Sequence, residues 1–254
     1  MIFWISPVKV IAYDSEGDSS GWSVERSTAI KTSLTDIDGN TYKVVRIGAQ
    51  LWMGENLRTT KYSDGTAIPI ANNNIDWEEN ALSETPMAEF CWYEDTTDTA
   101  AQEKWSALYN GYIVDPLNPK KIAPSGWHVP TEGDWMNLQN YLIANGYNYD
   151  ETKTDNKIAK SMAVQSDWLV STNVGAIGND LNTNNKSGFS ALPAGARNHH
   201  GGSWGKNMSG VWWSSTTSFI DVVLYIIELN YENSNLVLIE TSKVEGLSVR
   251  LIRD

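Results

Sequence analysis

The chain closes on VWWSSTTSFIDVVLYIIELNYENSNLVLIETSKVEGLSVRLIRD, residues 211–254, and one run inside it decides the fold. Phe219 to Ile227 is almost wholly apolar, while its flanks are small and polar. Such a run is either a strand buried in a core or a surface built to touch something. As a strand, Val222 to Leu229 would pair antiparallel with Asn235 to Ile239 and bury one face. Alternation at period two then sends Val222, Leu224 and Ile226 inward and leaves Phe219, Asp221, Val223, Tyr225 and Ile227 on the outward face.

Upstream, from Gly188 onward, short strands and Gly/Asn turns dominate. The clearest helix follows Pro130: Thr131 is a good N-cap, Asp134 lies three residues on, and Trp135, Leu138, Tyr141 and Leu142 share one face. A shorter helix is expected over Lys157 to Val164, and helical character near Ala100 to Leu108. Further back, Asp38-Gly39 is a hairpin signal, after which YKVVRIG alternates. Residues 1–35 read as strand segments joined by the acidic, turn-rich DSEGDSSG, an attachment appendage to a body over 36–254. Helices early and a small antiparallel sheet late define an α+β domain.

Composition bounds the function. A net charge of −12 with no Lys/Arg cluster excludes a nucleic-acid surface. Twelve Trp and eleven Tyr against four Phe favour side chains that pair large contact area with a polar atom, suited to cores and to binding faces. Cys91 is the only cysteine, so no internal disulfide forms and no thiolate-built metal centre exists. The opening MIFWISPVKVIAY lacks a basic stretch before its apolar residues, and Pro7 and Lys9 interrupt it, so neither signal peptide nor lipidation motif is expected. No apolar run approaches membrane-spanning length.

Catalytic patterns are missing: there is no G-x-S-x-G elbow, no Cys with a convergent His, and no carboxylate pair in a defined setting. His128, between Trp127 and Val129, reads as a hydrogen-bonded structural residue. His199 and His200 precede two glycines, which places them in a loop as exposed contact residues. Asn72 to Asn80 and Asp180 to Asn185 carry oxygen ligands suited to calcium, but their spacing does not match an EF-hand loop. The expectation is therefore no cofactor and no metal, with calcium the one exception held open.

Several motifs together carry a resemblance. GAQLWMGENLRT, FCWYED, SALYN, PSGWHVPTEGDWMNL, SGFSALPAGARN, WWSST and GLSVRLIRD occur here in the order seen in the Fibrobacter succinogenes major paralogous domain, across about Asp36 to Asp254. The resemblance implies a C-type-lectin-like fold, related in architecture to formylglycine-generating enzymes. It also implies that some members are targets of diversity-generating retroelements, which rewrite a C-terminal stretch by mutating adenines. Where relatives often carry Cys, this chain has Ala123 and Leu251, so packing replaces any covalent link there. Lectins that bind sugar through calcium use Trp-Asn-Asp on a late strand; Trp213-Ser214-Ser215 supplies no such ligands.

An Asn codon randomised at its adenines yields His, Tyr, Asp, Ser, Thr, Ile, Val, Leu or Phe, among others, but not Trp, Met, Lys or Gln. Every residue from Thr217 to Ile227, and both His199 and His200, belong to that set. The variable region is therefore placed at about 197–246. The expected ligand contacts are Asn198, His199, His200, Trp204, Phe219, Asp221, Val223, Tyr225 and Ile227, with Trp204 included as a fixed aromatic of the same glycine-rich loop.

The function these readings favour is a non-enzymatic receptor-binding protein of a phage tail or fibre, located in the virion, with a protein or glycan receptor on a bacterial surface as ligand. The N-terminal segment would attach it to the particle or to sister subunits of a homo-oligomer. A bacterial cell-surface or secreted adhesin is the alternative, and a formylglycine-generating-type enzyme the third, which a lone cysteine opposes.

Overall fold

The computed structural model describes residues 33–254. The appendage expected over 1–35 lies outside these residues except for Ser33–Thr35, which form strand β1 and pair with β2 (Thr41–Ile47). The link is the expected turn: Asp36 Oδ1 accepts from the backbone N–H groups of Asp38 and Asn40, and Gly39 takes the left-handed φ of +87° that closes it.

Among the described residues the α+β expectation of a C-type-lectin-like domain, helices early and a small sheet late, is overturned. Thirteen strands in three sheets carry the fold and only five helices accompany them. The first sheet runs β1, β2, β3 (Gln50–Met53), β13 (Ile252–Arg253), β6 (Trp127–His128), so the last strand of the chain lies between early ones. The second runs β11 (Val237–Ser242), β10 (Val223–Asn230), β9 (Ser209–Thr217). The third runs β4 (Phe90–Trp92), β5 (Ala107–Asn110), β12 (Gly246–Leu247), β7 (Ala196–Arg197), β8 (Ser203–Trp204).

The helices are α1 (Asn74–Ala81), α2 (Thr99–Trp105), α3 (Gly111–Val114), α4 (Glu132–Ala144) and α5 (Ala159–Met162). Only α4 matches its expected size. Thr131 and Asp134 cap it reciprocally, and Trp135, Leu138 and Leu142 are buried while Tyr141 stays partly exposed. The helix expected over Lys157 to Val164 shrinks to the four residues of α5. Most early strands are two to four residues long, too short to leave a period-two signal.

The strands β9 and β10 of the three-stranded sheet are buried on both faces, while the edge strand β11 is partly exposed. Val211, Trp213, Leu224 and Ile226 face one cluster, with Phe90, Tyr109, Ile113 and Leu251. Trp212, Ile227 and Leu229 face the other, with Trp52, Trp135, Phe189 and Ile252. A strand with apolar layers on both sides reads as a continuous hydrophobic run, which answers the question posed by Phe219 to Ile227 for its second half. Ala123 and Leu251 sit in the same cluster, where packing joins the two segments. Trp213 Nε1 donates to the Tyr109 carbonyl at 2.7 Å and Trp212 Nε1 to Asn56 Oδ1 at 2.9 Å, so both indoles are satisfied inside the core.

Arg250 explains why GLSVRLIRD is framework. Its buried guanidinium forms no ion pair among the described residues; it donates to Asn56 Oδ1 at 3.0 Å, to the Ser190 carbonyl at 2.6 Å and to the Phe189 carbonyl, and stacks 4.2 Å from the Phe189 ring. Burial brings its pKa down to about 9.

Candidate functional site

Two surface loops carry five of the nine expected contact residues. The first joins β7 to β8. Its base is Arg197, fully buried, which forms a two-pronged ion pair with Asp95 at 2.5 and 3.2 Å, donates to Asn74 Oδ1 at 2.9 Å and lies over the Trp77 ring. Above it Asn198 folds the turn: its Oδ1 accepts from the N–H groups of His200 and Gly202, each at 3.0 Å, and its carbonyl from Gly201 at 2.9 Å. Gly201 adopts φ +80° against α1, where a Cβ would lie 2.5 Å from the Asn74 carbonyl oxygen. His199 Nδ1 then meets Glu245 at 3.2 Å, His200 Nδ1 meets Glu78 at 2.7 Å, and the two rings lie 4.0 Å apart.

The second loop is the tip of the β9–β10 hairpin. It closes through Ser218 N–H to the Val223 carbonyl at 3.1 Å and Val223 N–H to the Ile220 carbonyl at 2.9 Å. Phe219 is fully exposed there, Ile220 is 59% and Val222 54% exposed, and Asp221 is exposed beside them.

The turn from Ser242 to Gly246 ties the loops to each other. Lys243 N–H donates to the Val222 carbonyl at 2.9 Å on the hairpin side, and Gly246 pairs with Arg197 while Glu245 holds His199 on the other. This turn is anchored: the buried Lys243 ammonium pairs with Asp115 at 2.5 Å, and Gly111 packs so closely that a Cβ would lie 2.7 Å from Lys243 Cα. Hence two stretches about twenty residues apart in sequence border one anchored turn.

The nine expected residues divide accordingly. Asn198, His199, His200, Phe219 and Asp221 lie on the two loops and reach the surface. Val223 and Tyr225 are half-buried on β10, with the Tyr225 hydroxyl beside Glu240, whose hydrogen bond raises the phenol's pKa above its ordinary value. Trp204 is 42% exposed on the edge strand β8, beyond the loop itself. Ile227 is fully buried and Val222 is exposed, the reverse of the expected faces. Two physical reasons account for this: Val222 lies in the hairpin tip just before β10 begins, and Ile227 lies where β10 is covered on both faces, packed in the cluster of Trp52, Trp135 and Phe189.

Sequence reasoning missed Ile220, Val222, Glu78 and Glu245. The tip has no Gly, Asn or Pro to mark it as a turn, and Glu78 comes from a distant helix. The calcium-suited clusters are used internally. Asn73 caps α1 by accepting from Asp76 N–H at 2.9 Å, and the Asn179, Asp180 and Ala176 carbonyls receive the Lys160 ammonium. His128 is held on both nitrogens, by Asp254 at 2.6 Å and Asp134 at 3.2 Å, as a structural residue would be. Among the described residues no three His, Cys, Asp or Glu side chains gather as a metal site, and no helix is long and apolar enough to cross a membrane.

The architecture is a β-rich scaffold that presents loops from a sheet whose strands β9 and β10 are buried on both faces. Residues 45–253 match the Fibrobacter succinogenes major domain, and the chain belongs to that family. No curated protein and no solved structure matches it.

Proposed function

We propose that this protein is a ligand-binding module, not an enzyme, and that the β9–β10 hairpin tip with the β7–β8 loop is its binding face. The observation that carries the reading is the tip itself: Phe219, Ile220 and Val222 stand exposed in succession at the end of a hairpin whose stem holds Trp212 and Trp213 fully buried. A rigid stem with a contact-rich end is how a binding surface keeps its ordering cost low. Each such side chain, fully buried by a partner, contributes about 1.5–3 kcal/mol before ordering costs.

The setting we propose is host attachment, with the protein in a phage tail or fibre and a protein or glycan receptor on a bacterial surface as ligand. Residues reachable from adenine-mutated Asn codons at both loops support a diversified face, as the family resemblance implies. A bacterial cell-surface adhesin would use the same face.

Sequencing the 3′ coding stretch deeply in a growing population tests the diversification. Substitutions should concentrate at codons 198–200 and 218–222 and spare Trp212, Trp213 and Ile227. Variation spread evenly over exposed and buried codons, or none above background, would contradict it.

A further inference from the structure

The β7–β8 loop holds an arrangement that contact chemistry alone does not require. Of the three histidines, His128 has both ring nitrogens engaged, whereas His199 and His200 each engage only Nδ1 among the described residues. Each Nδ1 faces a carboxylate, which can only accept, so in the neutral imidazole the proton sits on Nδ1 and Nε2 carries the lone pair. That is the tautomer a metal needs, fixed by the carboxylate contact that commonly orients metal-binding imidazoles. Here it occurs twice on adjacent residues.

The geometry adds to the chemistry. The ring centroids are 4.0 Å apart and the planes are tilted by 45°. Two imidazole nitrogens on one tetrahedral ion, each about 2.0–2.1 Å from it, stand about 3.3 Å apart. Rings at this spacing are close enough for rotation about χ1 and χ2 to set their Nε2 atoms at that separation. Both rings are accessible, at 46% and 64% side-chain exposure, and the backbone beneath them is fixed by Asn198 and by Gly201 against α1. The charges of Glu78 and Glu245 balance that of a divalent ion.

We propose that His199 and His200 form a two-imidazole site for a borderline divalent transition metal such as Zn²⁺, Ni²⁺ or Cu²⁺, bound through both Nε2 atoms. Water fills the remaining positions, so an exogenous oxygen or nitrogen ligand has an open place on the ion. Imidazole selects these metals over calcium or magnesium, which prefer oxygen. The site does not depend on the proposed receptor-binding role, since it requires only the loop and its two carboxylates.

Calorimetric titration with Zn²⁺ alone, in a non-coordinating buffer at pH 7.5, tests the site. The wild type and His128→Ala should take up one equivalent, and His199→Ala/His200→Ala should take up none. Glu78→Gln should bind about tenfold more weakly, as expected when an orienting carboxylate loses its charge. Thermal melting without metal, unchanged in the double variant, separates lost ligands from a lost fold; if that variant melts early, His199→Gln/His200→Gln replaces it. No stoichiometric uptake by the wild type, or uptake retained in the folded double variant, overturns the proposal.

Discussion

Glu89 offers a prediction whose size follows from its surroundings. It precedes β4 and is buried, with one carboxylate oxygen accepting from Asn80 Nδ2 at 2.6 Å and its backbone N–H donating to Asn110 Oδ1. Burial raises its pKa from an ordinary 4.5 to about 7, against the lowering effects of the Asn80 hydrogen bond and of Arg197. Below pH 4.5 the group is neutral whether the chain is folded or unfolded, and it contributes no pH dependence. Between 4.5 and about 7 the unfolded chain releases the proton and the folded one keeps it, so stability falls as pH rises; above about 7 the loss is complete. At about 1.4 kcal/mol per pH unit the window amounts to about 3 kcal/mol. Glu89→Gln keeps the shape and an acceptor for Asn80 but cannot ionise. Urea unfolding from pH 4 to pH 8 should therefore show equal stability at the acidic end and a variant more stable by about 3 kcal/mol at the alkaline end, roughly 6–12 °C in melting temperature. A difference that does not change with pH would refute the argument.

Other substitutions separate framework from face. Ile227→Ala, which opens a cavity beneath the doubly covered sheet, should cost about 2–5 kcal/mol in urea unfolding, whereas Phe219→Ala should stay within about 0.5 kcal/mol of the wild type. Arg250→Ala leaves the Phe189 and Ser190 carbonyls without this buried donor and Asn56 Oδ1 with Trp212 alone, and should destabilise by about 3–5 kcal/mol or prevent folding, as read by circular dichroism. Cys91, fully buried with its thiol pushed up to about 12 by that burial, should fail to react with a thiol reagent at neutral pH until denaturant is added.

The sequence made some elements legible and hid others for identifiable reasons. Thr131 and Asp134 announced α4 because a capping box is local, and Asp38-Gly39 announced the first hairpin for the same reason. The pairing of Val222 to Leu229 with the strand that follows was visible in outline, since β10 and β11 are joined by one short connection. Which side chains of β10 face outward was not visible: Ile227 meets Trp52 and Phe189 in one cluster, contributed by strands far away in sequence, while alternation assumes a single covered face. Codon reachability did not separate Phe219 from Ile227 either, because both residues pass it. The α+β expectation failed because β4, β5, β6, β7 and β12 are paired segments of two to four residues, held by partners distant in the chain. At the site, His199 and His200 were legible from the glycines after them, whereas Glu78 and Glu245 were placed there only by α1 and the Lys243 turn.

The central claim is that the hairpin tip makes the contact. Its most direct test is adhesion of labelled protein to a panel of intact bacterial cells, comparing the wild type with Phe219→Ala and with Phe219→Ala/Ile220→Ser/Val222→Ser. The account predicts that on any strain bound by the wild type, loss of Phe219 weakens adhesion by about 30-fold, equivalent to about 2 kcal/mol, and that the triple variant does not adhere although its melting temperature is unchanged. Adhesion of the folded triple variant equal to that of the wild type would contradict it.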